Sequence, residues 1–511
     1  MNVDFFKRNQ TQLLTLVALG VYNGLFFREQ LGINLLLFTL LLFIFLFYLH
    51  RERFTVKWLM PAAVTLLITT AVVWHHSLFS LWMFFISFLV MLGFVLQPTL
   101  RSTGMALLTA LSNVAYPPFE IFSWEKKGDG VVTRRMKTSR LLGISLIPLL
   151  VALLFFIIYR TANPVFADIT DHLLTHIEHW ITRFFETISV ARILFLILGL
   201  FIISGILFVR RNRIFKKEES QYSDHIPRVR KRIARKFLNM EFRHEYISGM
   251  VLLVLVNAML LLLNSIDIRY IWVNFTIPEG ISLKQMVHEG TEWLIASILI
   301  SLVVLAYLFR ANQNFYSRNM PLKILASLWV AQNMLLTVSL ILRNNQYVAW
   351  HALAYKRLGL YAFILLVFVG LVTMLVKIHK GKSLFYLVRI NSLVAYLFLG
   401  GAALINWDGV IASYNIQNVR GSQVDTDFLL KLSPKVYPYL YEHLDKIDGL
   451  IKAHEAGDPL LRYDSIESFT RFLDEKSRLF LASREEVTWR SYTVLDERAE
   501  QYLLTMPRKT P

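Results

Sequence analysis

The chain contains no cysteine, which excludes disulfides, thiolate metal sites and cysteine nucleophiles. It is also short of charge: 18% of its 511 residues are charged, whereas 55% are hydrophobic and 14% aromatic. Soluble domains carry about a quarter of their residues as charges, so this composition argues against a soluble globular protein. No phosphate-binding loop, dinucleotide fingerprint or G-x-S-x-G elbow is present, so nucleotide-dependent and hydrolase chemistry have no sequence mark. His288–Glu289 opens a zinc-helix motif, but Glu292 stands where the second histidine would fall. No metal, cofactor or catalytic residue is expected.

What the chain has instead is long apolar runs. About 20 such residues cross a ~30 Å hydrocarbon core as a helix, and lipid offers backbone amides no other partner. The pattern predicts an all-α polytopic bundle with spans at about 11–27, 31–50, 58–74, 77–97, 141–160, 192–210, 245–264, 291–310, 321–342, 359–378 and 384–406. Lys7 and Arg8 before the first run mimic a signal peptide, but no small-residue cleavage site follows Phe27, so the run reads as a retained span.

The net charge of +18 is distributed unevenly. With the N-terminus inside, the inner segments hold 30 basic and 10 acidic residues, the outer loops 9 of each, and the tail from Trp407 holds 14 basic and 17 acidic. This asymmetry supports an N-in topology and a tail on the outer side. Segment 102–122 is apolar but flanked by basic residues on both sides, so it is expected to return to the side it left. Trp74, Trp272, Trp293, Trp350 and Trp407 fall at the outer ends of spans, where an indole is half in lipid and half wet.

The sequence divides into a membrane bundle (1–406) and a helical C-terminal domain (407–511). Within the bundle, 165–188 is an amphipathic helix with Ile169, Leu173, Ile177, Trp180, Phe184 and Ile188 on one face. Loop 211–244 concentrates Arg228, Arg230, Lys231, Arg232, Arg235 and Lys236, a stretch suited to anionic lipid at the inner face. It lacks an aromatic platform, so nucleic acid is not an expected partner. In the tail, Ser433 before Pro434 should cap a helix bearing Val436, Leu440, Leu444, Ile447 and Ile451; a second starts near Asp464 and a third covers about 487–504.

Candidate site residues fall in two groups. Asn257, Gln332 and Asn333 lie mid-span, where a carboxamide either bonds a neighbouring helix or lines a polar path. His288, Glu289, Glu292, Arg343, Lys356 and Arg357 gather at outer span ends, where they can pair or form an anion- or proton-linked site. Asn23 sits in Gly20–Val21–Tyr22–Asn23–Gly24, a small-xxx-small face suited to close packing.

Several stretches carry a resemblance: VHEGTEW (287–293), FRANQNFY (309–316), WVAQN (329–333), LRNNQY (342–347), LAYKRLG (353–359), YLVRINS (386–392), NWDGVIASYN (406–415) and VDTDFLLKLSPKVYPYL (424–440). In combination the chain resembles an uncharacterised bacterial membrane family, domain of unknown function 4173, itself related to family 4153. The resemblance implies a bacterial envelope membrane protein and no particular activity. Three function classes stay open: a transporter or permease, an envelope sensor or assembly scaffold with an envelope protein partner, and a membrane enzyme.

Overall fold

The computed structural model describes residues 3–114, 189–208, 222–226, 235–273, 290–310, 312–315, 319–417, 425–453 and 465–506, with isolated positions between 152 and 170 and residue 219. Among them there is no strand, and 17 α-helices make up the fold.

The first half of the bundle consists of α1 (Val3–Phe26), α2 (Ile33–His50), α3 (Val56–His75), α4 (Leu78–Leu96), α5 (Thr103–Val114) and α6 (Val190–Leu207). The second half consists of α7 (Arg235–Asp267, continued by a π-helical turn at Ile268–Val273), α8 (Gly290–Leu308), α9 (Met320–His351) and α10 (Tyr355–Lys380). Between them α11 (Leu384–Ala402) touches α10 on one side and α3, α4 and α5 on the other. Nine described helices are long and apolar enough to cross a membrane, and the protein is an integral, multi-pass membrane protein. They cover nine of the expected spans. The first expected span is α1, thinned by Asn9, Gln10, Gln12 and Asn23; the fifth, 141–160, lies outside the described residues apart from isolated positions, as does the amphipathic segment 165–188.

The described part of α5 is 12 residues long, about 18 Å at 1.5 Å per residue, which is shorter than the ~30 Å hydrocarbon core. It is buried against α4, α6 and α11. The approach to α4 is close because Gly93 has no side chain: a Cβ there would lie 2.0 Å from the Ala106 carbonyl oxygen. Gly199 plays the same part against the ring of Tyr22. By contrast Gly20 and Gly24 meet nothing within 4 Å, so the expected small-residue face packs on no element among the described residues. The aromatic ring between them, Tyr22, makes the contact instead, stacked on Phe195 at 4.5 Å.

The tail forms α12 (Trp407–Gln417), α13 (Thr426–Leu430), α14 (Tyr437–Glu442), α15 (Leu444–Ala453), α16 (Ile466–Arg484) and α17 (Val494–Thr505). Two expectations are corrected. The helix expected from Ser433 breaks at His443 into α14 and α15, and the Ser433 hydroxyl makes no cap, because the 434–436 turn is 3-10 rather than α-helical. The second helix is capped by Ser465, whose hydroxyl accepts from the Ser468 amide while Ser468 answers to the Ser465 amide. The tail core also takes in Val348, Ala352 and Leu353 from the end of α9 and the turn after it.

Candidate functional site

α7 and α9 meet along a polar seam. The bonded pairs across it are separated by 67 to 76 residues in sequence, so the two helices run parallel. Gln332 Nε2 donates to Asn257 Oδ1 at 2.7 Å. Asn257 Nδ2 donates to the carbonyls of Leu253 at 2.6 Å and Leu325 at 3.1 Å. Two turns along α7, Asn264 Nδ2 donates to the Gln332 carbonyl at 3.1 Å. Then comes an ion pair, Arg343 to Asp267 Oδ1 at 2.7 Å, with the two side chains 10% and 2% exposed. Trp272 Nε1 closes the row on Ser339 Oγ at 2.9 Å.

Sequence spacing explains the row. Asn257 and Asn264 are seven apart and Asn264 and Asp267 three apart, which places them on one helix face. Asp267 ends the α-helical part of α7, ahead of the π-helical turn; the Arg343 guanidinium compensates its buried charge. α9, at 32 residues, is about 48 Å long and outruns the hydrocarbon core. Arg343 lies eight residues from its end, so the pair sits near the membrane boundary, beneath the tail.

Three acceptors of the seam are left over. Asn264 Oδ1, Gln332 Oε1 and Asp267 Oδ2 are buried with no hydrogen-bond partner among the described residues. Acceptors so placed call for a donor beyond the described residues, water included, since leaving them bare in a low-dielectric interior is costly.

The family described as a domain of unknown function (DUF4153) matches residues 13–443. The chain belongs to this family. No curated protein and no solved structure matches it. Of the two related families named from the motifs above, the match is to 4153.

In the DUF4153 structure two members of the expected outer charge cluster, Arg343 and Arg357, bond to groups outside it. Arg343 takes Asp267, a residue absent from that cluster. Arg357 donates to the His351 and Ala352 carbonyls at the end of α9 and lies 4.6 Å from the Tyr347 ring. Lys356 and Glu292 are exposed; His288 and Glu289 lie outside the described residues. Asn333 bonds its own helix, Nδ2 to the Trp329 carbonyl at 2.8 Å. Of the basic loop, Arg228, Arg230, Lys231 and Arg232 lie outside the described residues, while Arg235 and Lys236 open α7. No group of three His, Cys, Asp or Glu suited to a metal occurs among the described residues.

Two further features escaped the sequence reading. At the basic end of the bundle, the buried Glu219 carboxylate accepts from the amides of Arg101 (3.0 Å) and Ser102 (3.0 Å), neutralising the start of α5. Asp224 pairs with Arg389 at 2.8 Å, and its carbonyl accepts from the Ser383 amide at 2.9 Å. Segment 219–226 thus ties α5 to the α10–α11 turn. At the other end the tail is fastened to three loops. Glu29 receives Arg490 at 3.2 Å and the Ser491 hydroxyl at 2.8 Å. Lys435 donates to the His75 and His76 carbonyls. Asn415 exchanges bonds with the Leu353 backbone at 2.7 and 3.0 Å. Burial lowers the Lys435 pKa, and burial with the nearby Lys435 charge lowers that of His76.

Proposed function

We propose that this DUF4153 protein is a carrier of the bacterial inner membrane, with its basic loops inside and its tail outside, in which the α7–α9 seam is the working element. The observation behind this reading is the buried Asp267–Arg343 pair, followed along the same seam by the unpartnered oxygens of Asn264 and Gln332. Ionisable groups held within a membrane bundle are costly and mark substrate or ion pathways, and an acceptor-rich seam suits a substrate that brings its own N–H or O–H donors. The motifs between 287 and 440 suggest a finer kinship with family 4173.

The test exploits the absence of native cysteine. Ser339→Cys and Asn264→Cys on the seam, with Leu371→Cys in the apolar core as control, are treated in oriented membranes with an impermeant maleimide from either side. A carrier labels at the seam positions while Leu371→Cys stays inert. If all three are equally inert, the carrier reading is lost. A reporter fused after Pro511 should also face outside and one near Tyr222 inside.

One observation favours a second reading, an envelope scaffold or sensor: the threefold fastening of the tail to the α1–α2, α3–α4 and α9–α10 turns. There the tail would receive an envelope protein, and the seam would only hold helices together. Inert seam cysteines together with a tail that co-purifies a partner support that reading.

A further inference from the structure

Two open grooves on the bundle wall differ in their charged rims. The larger, about 600 Å³, is lined by one face of α2 (Phe43, Phe47, Tyr48), by Arg51, and by Phe54 and Trp58. The chain reverses after Arg51, so Phe54 packs edge-on against Phe47 at 5.2 Å and Trp58 against Phe54 at 4.5 Å. This leaves an aromatic trough whose mouth carries Arg51. Eight residues separate Phe43 from Arg51, about 12 Å along the helix, most of the ~15 Å hydrocarbon depth of one leaflet. The rim is basic: Arg53 and Lys57 are held beside it by the Leu96 carbonyl (3.1 Å) and the Leu100 carbonyl (3.0 Å), with Glu52 between Arg51 and Arg53 in the sequence. The smaller groove, about 460 Å³ between α7 and α8, has Arg310 at its rim, but that guanidinium is paired with Glu245 at 3.5 Å and lies 3.5 Å from the Tyr307 ring centre.

We infer that the α2–α3 groove is a binding site for an anionic glycerophospholipid, one acyl chain lying along Phe43–Tyr48 and the phosphate on Arg51. The site's volume lies within the range of lipid- and drug-sized pockets, about 300–1,000 Å³. Its walls are apolar over the depth an acyl chain occupies, and its mouth bears net positive charge where the phosphate of the same molecule lies. The α7–α8 groove offers apolar walls without that charge, so it takes acyl chains with no preference for headgroup. This site is independent of the seam and stands whether or not the chain is a carrier.

The full chain is purified in detergent and loaded with phosphatidylglycerol or phosphatidylcholine of identical acyl chains, and retained lipid is counted by native mass spectrometry. Wild type should retain phosphatidylglycerol about fivefold better, the worth of one basic side chain at an anionic headgroup. Arg51→Gln should abolish the preference, Ile44→Trp should fill the trough and reduce retention of both lipids, and Arg310→Gln should change neither. Arg51 and Ile44 are exposed, so these changes leave the fold intact; Arg51→Lys should restore most of the preference. Equal retention of both lipids by wild type, an unchanged preference in Arg51→Gln, or unchanged retention in Ile44→Trp would each overturn the assignment.

Discussion

The two halves of the bundle use the same polar side chains differently. In the α1–α6 half, carboxamides and imidazole close helix ends: Asn34 donates to the Leu25 and Gln30 carbonyls, Asn113 to those of Gly205 and Phe208, and His50 bonds the Leu207 carbonyl. Between its spans the buried contacts are aromatic and aliphatic, with a chain of hydroxyls, Thr65 to Ser87 to Tyr396, leading to α11, and its carboxamide bonds between spans, Gln10 to Tyr48 and Arg192 to Asn23, lie at the exposed surface. In the α7–α10 half the carboxamides cross between spans, followed by a buried ion pair. A polar group that finishes a helix end is satisfied by backbone that every fold contains. A polar group placed between spans needs a particular partner, and the seam leaves three oxygens without one among the described residues.

The sharpest way to break this comparison is to remove one charge from the seam. Asp267→Leu or Arg343→Leu alone should cost about 3–5 kcal/mol, because an unpaired buried charge remains. The double change should be near neutral in thermal unfolding yet abolish seam labelling at Ser339→Cys. Equal stability of single and double variants would show that the pair does not matter to the second half.

Close packing tests the first half. Gly93→Ala must push α5 away from α4 and should cost about 1–3 kcal/mol. Gly370→Ala in α10 meets its nearest atoms at 3.8 Å and should be neutral or stabilising by up to about 1 kcal/mol. Melting temperatures of the two variants in one detergent check the contrast.

The carboxamides come next. Gln332→Leu and Asn257→Leu should each cost about 0.6 kcal/mol, the mean for hydrogen bonds within membranes, and their double-mutant cycle should show coupling. Additive effects would remove the 2.7 Å bond from the account.

The smallest effect concerns the tail. His76 faces Lys435 and Asp496, and burial with the Lys435 charge holds its folded pKa below the ordinary imidazole value. With the tail released, His76 binds its proton more readily, so docking is unpenalised above about pH 6.5 and weakens as pH falls through the lowered value. Limited proteolysis at pH 7.5 and 5.5 should show faster tail cleavage at the lower pH, with a reduced difference in His76→Asn.

The all-α bundle was legible because hydrophobic runs of span length admit one backbone solution. The pairing of Gln332 with Asn257 was legible too, since two mid-span amides seek each other. Asn264 and Asp267 were missed because the span was ended at Asn264 by hydropathy. α7 continues past that point, and Asp267 belongs to the bundle rather than to an outer loop. The seven-residue repeat from Asn257 to Asn264 was the available signal. The break at His443 was hidden because Leu440, Leu444 and Ile447 keep helical spacing across it. The tail's reliance on Val348, Ala352 and Leu353 could not be read from the tail alone, since those residues complete its core from another part of the chain.

α9 has one end in the tail core and the other at the basic end, where Ser327 Oγ meets His379 Nε2 at 2.9 Å. An unbroken helix of this length is a stiff strut. A tilt of about 5° about one end swings the other by about 4 Å over its ~48 Å length. A load applied to the tail on one side of the membrane is therefore delivered, as displacement, to the opposite side through a single element, with the ion pair of Arg343 riding on the strut between the two.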